Sequence, residues 1–146
     1  MQTKEMIATH PDVRGNVNQP LIDAIDAAYA CAQTCTSCAD ACLAEDMVAQ
    51  LRQCIRLNLD CADICEVTAK LVSRRTGTDE ELIADMLEVC AATCERCAEE
   101  CFLHAEMHAH CRICADACDS CATCCREAIG DVESGEGRLA DGGIPH

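Results

Sequence analysis

Between Gln19 and Ile129 the core-type positions recur every three or four residues in four separate runs. That is the return period of one face of an α-helix, which turns every ~3.6 residues. The first run reads Leu21, Ile25, Ala28, Cys31, Cys35, Cys38 and Cys42, aliphatic in its first half and thiol in its second. The second reads Cys54, Asn58, Cys61 and Cys65 and returns to aliphatic at Leu71 and Val72. The third opens on Ile83, Met86 and Leu87 and continues through Cys90, Cys94, Cys97 and Cys101. The fourth carries Cys111, Cys114, Cys118, Cys121 and Cys125, with Cys124 beside the last, as far as Ile129. Helices are predicted over about 19–44, 47–73, 79–104 and 106–129, and no period-two alternation marks a strand.

Local signals punctuate these runs. Asn18 suits an N-cap and Pro20 a first helical turn. Glu45-Asp46 and the stretch from Leu103 to Glu106 read as turns, and Gly130 as a helix stop. Arg74-Arg75-Thr76-Gly77 offers charges that suit a helix C-terminus and a glycine that can end it; Thr78-Asp79-Glu80-Glu81 then reads as a capping box. Residues 1–18 form an N-terminal segment with a short helix around Lys4 to Thr9, stopped by His10-Pro11. Residues 131–146, Gly-rich and acidic without a periodic face, read as a flexible tail. The expected fold is all-α, an up-down-up-down four-helix bundle over 19–130 with a cysteine-lined core and a short extra N-terminal helix.

In that topology the turns near residues 45 and 105 share one end. Leu21, Ile22, Ile25, Leu71, Val72, Ile83, Leu87 and Ile129 then gather at the other end as an aliphatic plug. The turn end adds Met47, His104, Met107, His108 and His110, and reads as a mouth.

Composition alone points elsewhere: a net charge of −15 and few large aliphatics are the signature of disorder. Abundant alanine, the best helix former, and cysteines at helical period overturn that reading. With no Trp, one Phe and one Tyr, large aromatics cannot build the core. The acidic balance argues against a nucleic-acid partner, which needs a basic surface. Charges interrupt every apolar run, so no membrane segment is expected, and Met1 to Gly15 lacks a signal-peptide run, which favours a cytoplasmic location.

Seventeen cysteines raise the question of disulfides or metal. Residues three or four apart on a helix hold their Cβ atoms ~5–6 Å apart, too far for a disulfide within one helix; cross-helix disulfides stay open, though the number is odd. Soft thiolates select Cu(I), Zn(II) or iron–sulfur clusters. The helical columns lack the loop and proline of an iron–sulfur run. Four thiolates around each zinc would bury much negative charge, whereas about one Cu(I) per thiolate neutralises it. A near-linear S–metal–S span of ~4.6 Å is within rotamer reach of cysteines at i,i+4. The number of thiols exceeds what a catalytic or electron-transfer site needs, and points to capacity.

With Cys31-x3-Cys35-x2-Cys38-x3-Cys42, Cys54…Cys61-x3-Cys65, Cys90-x3-Cys94-x2-Cys97-x3-Cys101 and the Cys111–Cys125 run, the chain resembles the bacterial four-helix-bundle copper storage proteins. The absent export signal and the histidines near the mouth are similar to the cytosolic branch. The resemblance implies many Cu(I) ions inside the bundle, buffered or detoxified there, a homotetramer, and copper donor or acceptor proteins as partners.

Other readings stand beside this one. A zinc or general soft-metal buffer and a thiol/disulfide redox protein use the same residues. The cysteines could be small buried hydrophobes. Asn58 fits a core amide as well as a ligand. His104 and His108, at i,i+4, fit ligands facing each other across a turn or solvated side chains, and His110 divides the same way. Met47 and Met107 fit packing better than thioether ligation. His10 and His146 carry no assignment. No nucleophile, base and orienting group come together, so no enzyme is expected.

Overall fold

A computed structural model describes residues 1–133. Five α-helices make up the fold: α1 (Thr3–Ala8), α2 (Gln19–Leu43), α3 (Arg52–Ser73), α4 (Glu80–Phe102) and α5 (Ala109–Glu133). No strand occurs among the described residues. The last four pack in a ring, α2 on α3 and α5, and α4 on α3 and α5, which is the up-down-up-down bundle.

The seams of this ring are made by alanine. Buried Ala39, Ala62, Ala91, Ala98, Ala115 and Ala122 each follow a column cysteine directly. A methyl group at each position lets neighbouring backbones approach closely and brings the thiol columns of facing helices into contact.

Helix α2 starts as expected, with Asn18 accepting a hydrogen bond from the Leu21 amide at 3.2 Å and Pro20 in the first turn. At α4 the cap is Asp79, which accepts from the Leu82 amide at 3.1 Å, while Thr78 is buried outside the helix. The preceding connection contains Gly77 at φ 59°, a left-handed turn conformation that glycine adopts without steric cost.

Four boundaries differ from the sequence reading by two residues or more. Residues Val48–Leu51 form a 3-10 turn, so α3 begins at Arg52 rather than near 47; burial of Leu51 holds that turn against the bundle. Helix α4 ends at Phe102, and His104 lies in the turn beyond it. Helix α5 begins at Ala109 rather than 106 and runs through Gly130 to Glu133. A mid-helix glycine costs only about 1 kcal/mol. Here burial of Val132 and the hydrogen bond from Asn18 to Asp131 carry the helix past it. Of the expected tail, residues 131–133 are thus helical, and 134–146, with His146, lie outside the described residues.

The end carrying the α3–α4 connection is aliphatic. Leu21, Ile22, Ile25, Val72, Ile83, Leu87 and Ile129 are buried, Leu71 is half-buried, and Ile7, Val13 and Val132 join them. Helix α1 and the turns after it cap this end, with Thr3 donating to Asp26 at 2.6 Å and His10 Nε2 bonded to the Thr76 hydroxyl at 2.9 Å. His10, unassigned from sequence, thus ties the N-terminal segment to the α3–α4 connection.

Candidate metal centre

All seventeen cysteines are free thiols, and sixteen are buried. Those of α2, α3, α4 and α5 meet along the bundle axis. Within helices, Cys31 and Cys35 sulfurs lie 3.8 Å apart, as do those of Cys61 and Cys65. Across helices, Cys31 meets Cys61 at 3.9 Å and Cys118 at 3.7 Å, and Cys35 meets Cys118 at 3.6 Å and Cys114 at 3.7 Å. Cys94 lies 3.6 Å from Cys61 and 3.5 Å from Cys65, which also meets Cys90 at 3.7 Å. Nearer the turns, Cys54 and Cys101 are 3.7 Å apart. With metal–sulfur bonds of ~2.3 Å, a trigonal ion holds its sulfurs about 4.0 Å apart and a linear one about 4.6 Å apart. The columns therefore need only rotamer adjustments to close on a metal.

Several groups bring three or four donor atoms within 4.8 Å of one another: Cys31, Cys65, Cys94 and Cys121; Cys31, Cys35, Cys61 and Cys118; Cys35, Cys97, Cys114 and Cys118; Cys38, Cys42, His110 and Cys111; Cys38, Cys101 and Cys114. These groups overlap. Cys31, Cys35, Cys38, Cys114 and Cys118 each belong to two of them. A shared thiolate bridges two ions, so the lining is laid out as a connected array. Cys124 stands at its edge, half-buried, its thiol raised first by burial and then by the nearby charges of Asp23 and Glu127.

Asn58 is fully buried within the thiols. Its Oδ1 accepts from Cys97 at 3.2 Å, Cys101 at 3.4 Å and Cys114 at 3.2 Å, and its Nδ2 donates to Cys54 at 3.7 Å. One amide from α3 thus satisfies thiols of three helices.

The α2–α3 and α4–α5 connections meet at the opposite end from the plug. His110 Nδ1 lies 3.4 Å from the sulfur of Cys38 and 3.6 Å from that of Cys111. Its Nε2 is bonded to Glu45 Oε2 at 2.8 Å, and His108 Nδ1 reaches the same oxygen at 3.0 Å. The two rings stack, with centroids 5.4 Å apart. His104 turns to Glu100, Nε2 to Oε2 at 2.9 Å, so His104 and His108 turn to different carboxylates, and His108 shares its own with His110. Met47 is half-buried and Met107 lies out in solvent. Leu51, buried at this end, shows that aliphatics are not confined to the plug.

Glu45 escaped sequence reasoning, which saw only a turn. Its partners lie more than sixty residues away, and no local pattern announces them. Its carboxyl is held below the usual range, first by the hydrogen bond to His110. Among the thiols here, burial pushes Cys42 up to about 11 and Cys111 further. Cys54 falls to about 3, chiefly because Cys101 and Cys38 hydrogen-bond to its sulfur.

A sequence model of the copper storage protein family matches residues 17–130. The chain belongs to the copper storage protein family. Two solved structures of the family's Streptomyces lividans member are similar to it. The copper storage protein Ccsp loaded with 10 copper equivalents is 44% identical with a TM-score of 0.84, over 88% of this chain and 98% of that one. The cytosolic copper storage protein with five coppers is 47% identical with a TM-score of 0.76, over 77% of this chain and 93% of that one. An uncharacterized cysteine-rich protein of Bacillus subtilis (strain 168), YhjQ, is 39% identical over 102 residues, 70% of this chain and 89% of its own. The family shares the four-helix bundle, and in the Streptomyces protein that bundle takes up several coppers.

Proposed function

We propose that this chain stores copper, binding many Cu(I) ions along the thiol lining of its bundle. The observation that carries this reading is the overlap of the donor groups. Isolated tetrahedral zinc sites would each need about four thiolates of their own. Five cysteines placed in two groups each serve bridged, low-coordinate ions instead, and Cu(I) is the soft ion that accepts two or three thiolates. Apart from the ion that neutralises the Cys54 thiolate, each ion replaces a thiol proton, so filling the tube leaves no unpaired charge buried.

The ligands in this reading are the column cysteines, with Cys124 as an outer thiol, Asn58 lending an amide oxygen, and His104, His108 and His110 as weaker donors at the turn end. The role is storage rather than catalysis. A cytoplasmic setting fits the Streptomyces relative, described as cytosolic, and no helix among the described residues is long and apolar enough to cross a membrane. Exposed Leu59 and Val67 on α3 and Leu82 and Val89 on α4 offer apolar contacts for a homotetramer. Copper donor and acceptor proteins would meet the chain at the turn end, since the other is sealed by aliphatic side chains and α1.

Anaerobic titration of the reduced protein with Cu(I), competed against a chelator, tests this. Uptake continuing beyond about ten ions per chain is expected, because bridging lets seventeen thiols serve many ions. Saturation at three to five ions, with zinc preferred, would establish the zinc-buffer reading in its place.

A further inference from the structure

Two of the three imidazoles at the turn end are held by one oxygen atom. Glu45 Oε2 lies 3.0 Å from His108 Nδ1 and 2.8 Å from His110 Nε2. An ionised carboxylate only accepts hydrogen bonds, so the nitrogens facing it carry the protons. In a neutral imidazole the other nitrogen is then bare. For His110 that atom is Nδ1, which faces the sulfurs of Cys38 and Cys111 at 3.4 and 3.6 Å. For His108 it is Nε2, which is buried without a hydrogen-bond partner in a side chain only 8% exposed. A buried nitrogen lone pair with nothing to accept is costly unless something binds it.

We propose that Glu45 is a positioning residue for copper uptake: by fixing opposite tautomers on its two histidines, it presents His108 Nε2 and His110 Nδ1 as ready donor atoms for an incoming Cu(I) ion. The inference rests on the copper-storage reading and adds to it the residue that orients the ligands. Distances support it. A trigonal ion with Cu–N of about 2.0 Å and Cu–S of about 2.3 Å separates nitrogen from sulfur by about 3.7 Å, close to the spacing between His110 Nδ1 and its two sulfurs. Access supports it too. Cys38 and His110 line a cavity of about 330 Å³ between α2 and α5, with Thr34, Ser37 and Ile113 around them, so an ion reaches His110 from solvent and leaves it for a thiol. A metal-binding histidine almost always gives its other ring N–H to a carboxylate, a backbone carbonyl or a water, which fixes its tautomer. Here one carboxylate orients two.

The experiment has a copper-free and a copper-dependent part. In the reduced, metal-free protein, nitrogen-15 NMR at neutral pH should show His108 with its proton on Nδ1 and His110 with its proton on Nε2. The same nitrogen protonated in both rings would overturn the inference. Glu45→Ala should abolish the distinction, with the helical circular dichroism unchanged. It should slow Cu(I) uptake from a bicinchoninate complex by about tenfold, the lower range seen when an outer partner is lost, while the final number of ions stays the same. Glu45→Gln keeps an acceptor oxygen but no charge, and should keep the uptake rate near wild type. Equal slowing by both variants would show that Glu45 acts only by attracting the cation, and would overturn the positioning role. If the wild type itself saturates at a few ions, the storage reading fails, and the NMR result still decides the tautomers.

Discussion

Cys114 on α5 gives its S–H to Oδ1 of Asn58 on α3, 3.2 Å across the bundle. The same oxygen takes Cys97 and Cys101 from α4, so a single amide holds protonated thiols of two other helices in register. Replacing Asn58 by Ala should destabilise the metal-free protein by about 1–3 kcal/mol, the cost of leaving buried polar groups unsatisfied. In the copper-loaded protein the S–H donors are gone, so the loss should shrink. Urea unfolding of both forms checks this; equal losses would show that Asn58 acts by packing alone.

Deep in the columns, Cys35 and Cys118 lie 3.6 Å apart and share two donor groups. Cys118→Ser should therefore lower capacity by about two ions, since one bridging sulfur serves neighbouring sites. Cys124→Ser, at the half-buried edge, should change capacity by one ion or none. Anaerobic titration of the two variants compares them directly.

The plug and the turn end should respond differently. Leu87 is fully buried, and Leu87→Ala should cost about 2–5 kcal/mol of stability with capacity preserved. His104→Ala with His108→Ala should lower capacity by only an ion or two but change the rate at which a chelator withdraws copper. Unchanged chelator rates in the histidine pair, with altered rates in the plug variant, would place uptake at the opposite end.

Acidity adds a pH dependence. Cys42 is raised by burial from 9.0 to about 11. At neutral pH it is protonated, so copper at the Cys42, Cys38, Cys111 and His110 group must displace a proton, and its affinity should strengthen about tenfold per pH unit for each proton released. The metal-free fold has the opposite trend. A thiol whose pKa is raised on folding favours the folded state below the unfolded value, and that advantage disappears as pH rises from about 9 through about 11. Apo stability should thus fall across that window, as followed by thermal unfolding at fixed salt.

The cysteine columns were legible because a three- and four-residue step leaves no other regular structure that buries them together. Asn18 and the aliphatic plug were legible for the same reason, being local signals that tertiary packing reinforced. The alanine after each of six column cysteines was an equally regular signal, read from sequence only as helix propensity. Gly130 misled because a glycine stop is a local preference worth about 1 kcal/mol, and burial of Val132 outweighs it. The start of α3 at Arg52 depends on where Leu51 docks, and Glu45 on which histidines arrive from another helix. Neither is written in a neighbouring residue.

Among the described residues, the buried guanidinium, carboxyl and imidazole side chains, Arg75, Glu80 and His108, lie by the connections at the two ends of the bundle, and the polar side chains buried between them are thiols, Asn58 and Thr68. A monovalent ion that enters as one proton leaves changes the electrical state of this interior by nothing. Empty and full molecules then differ by about one charge only, where the first ion neutralises the Cys54 thiolate. They should migrate alike in a native electric field, and a protein that docks by surface potential would be blind to the load. Any partner that distinguishes a full store from an empty one must therefore touch its rim.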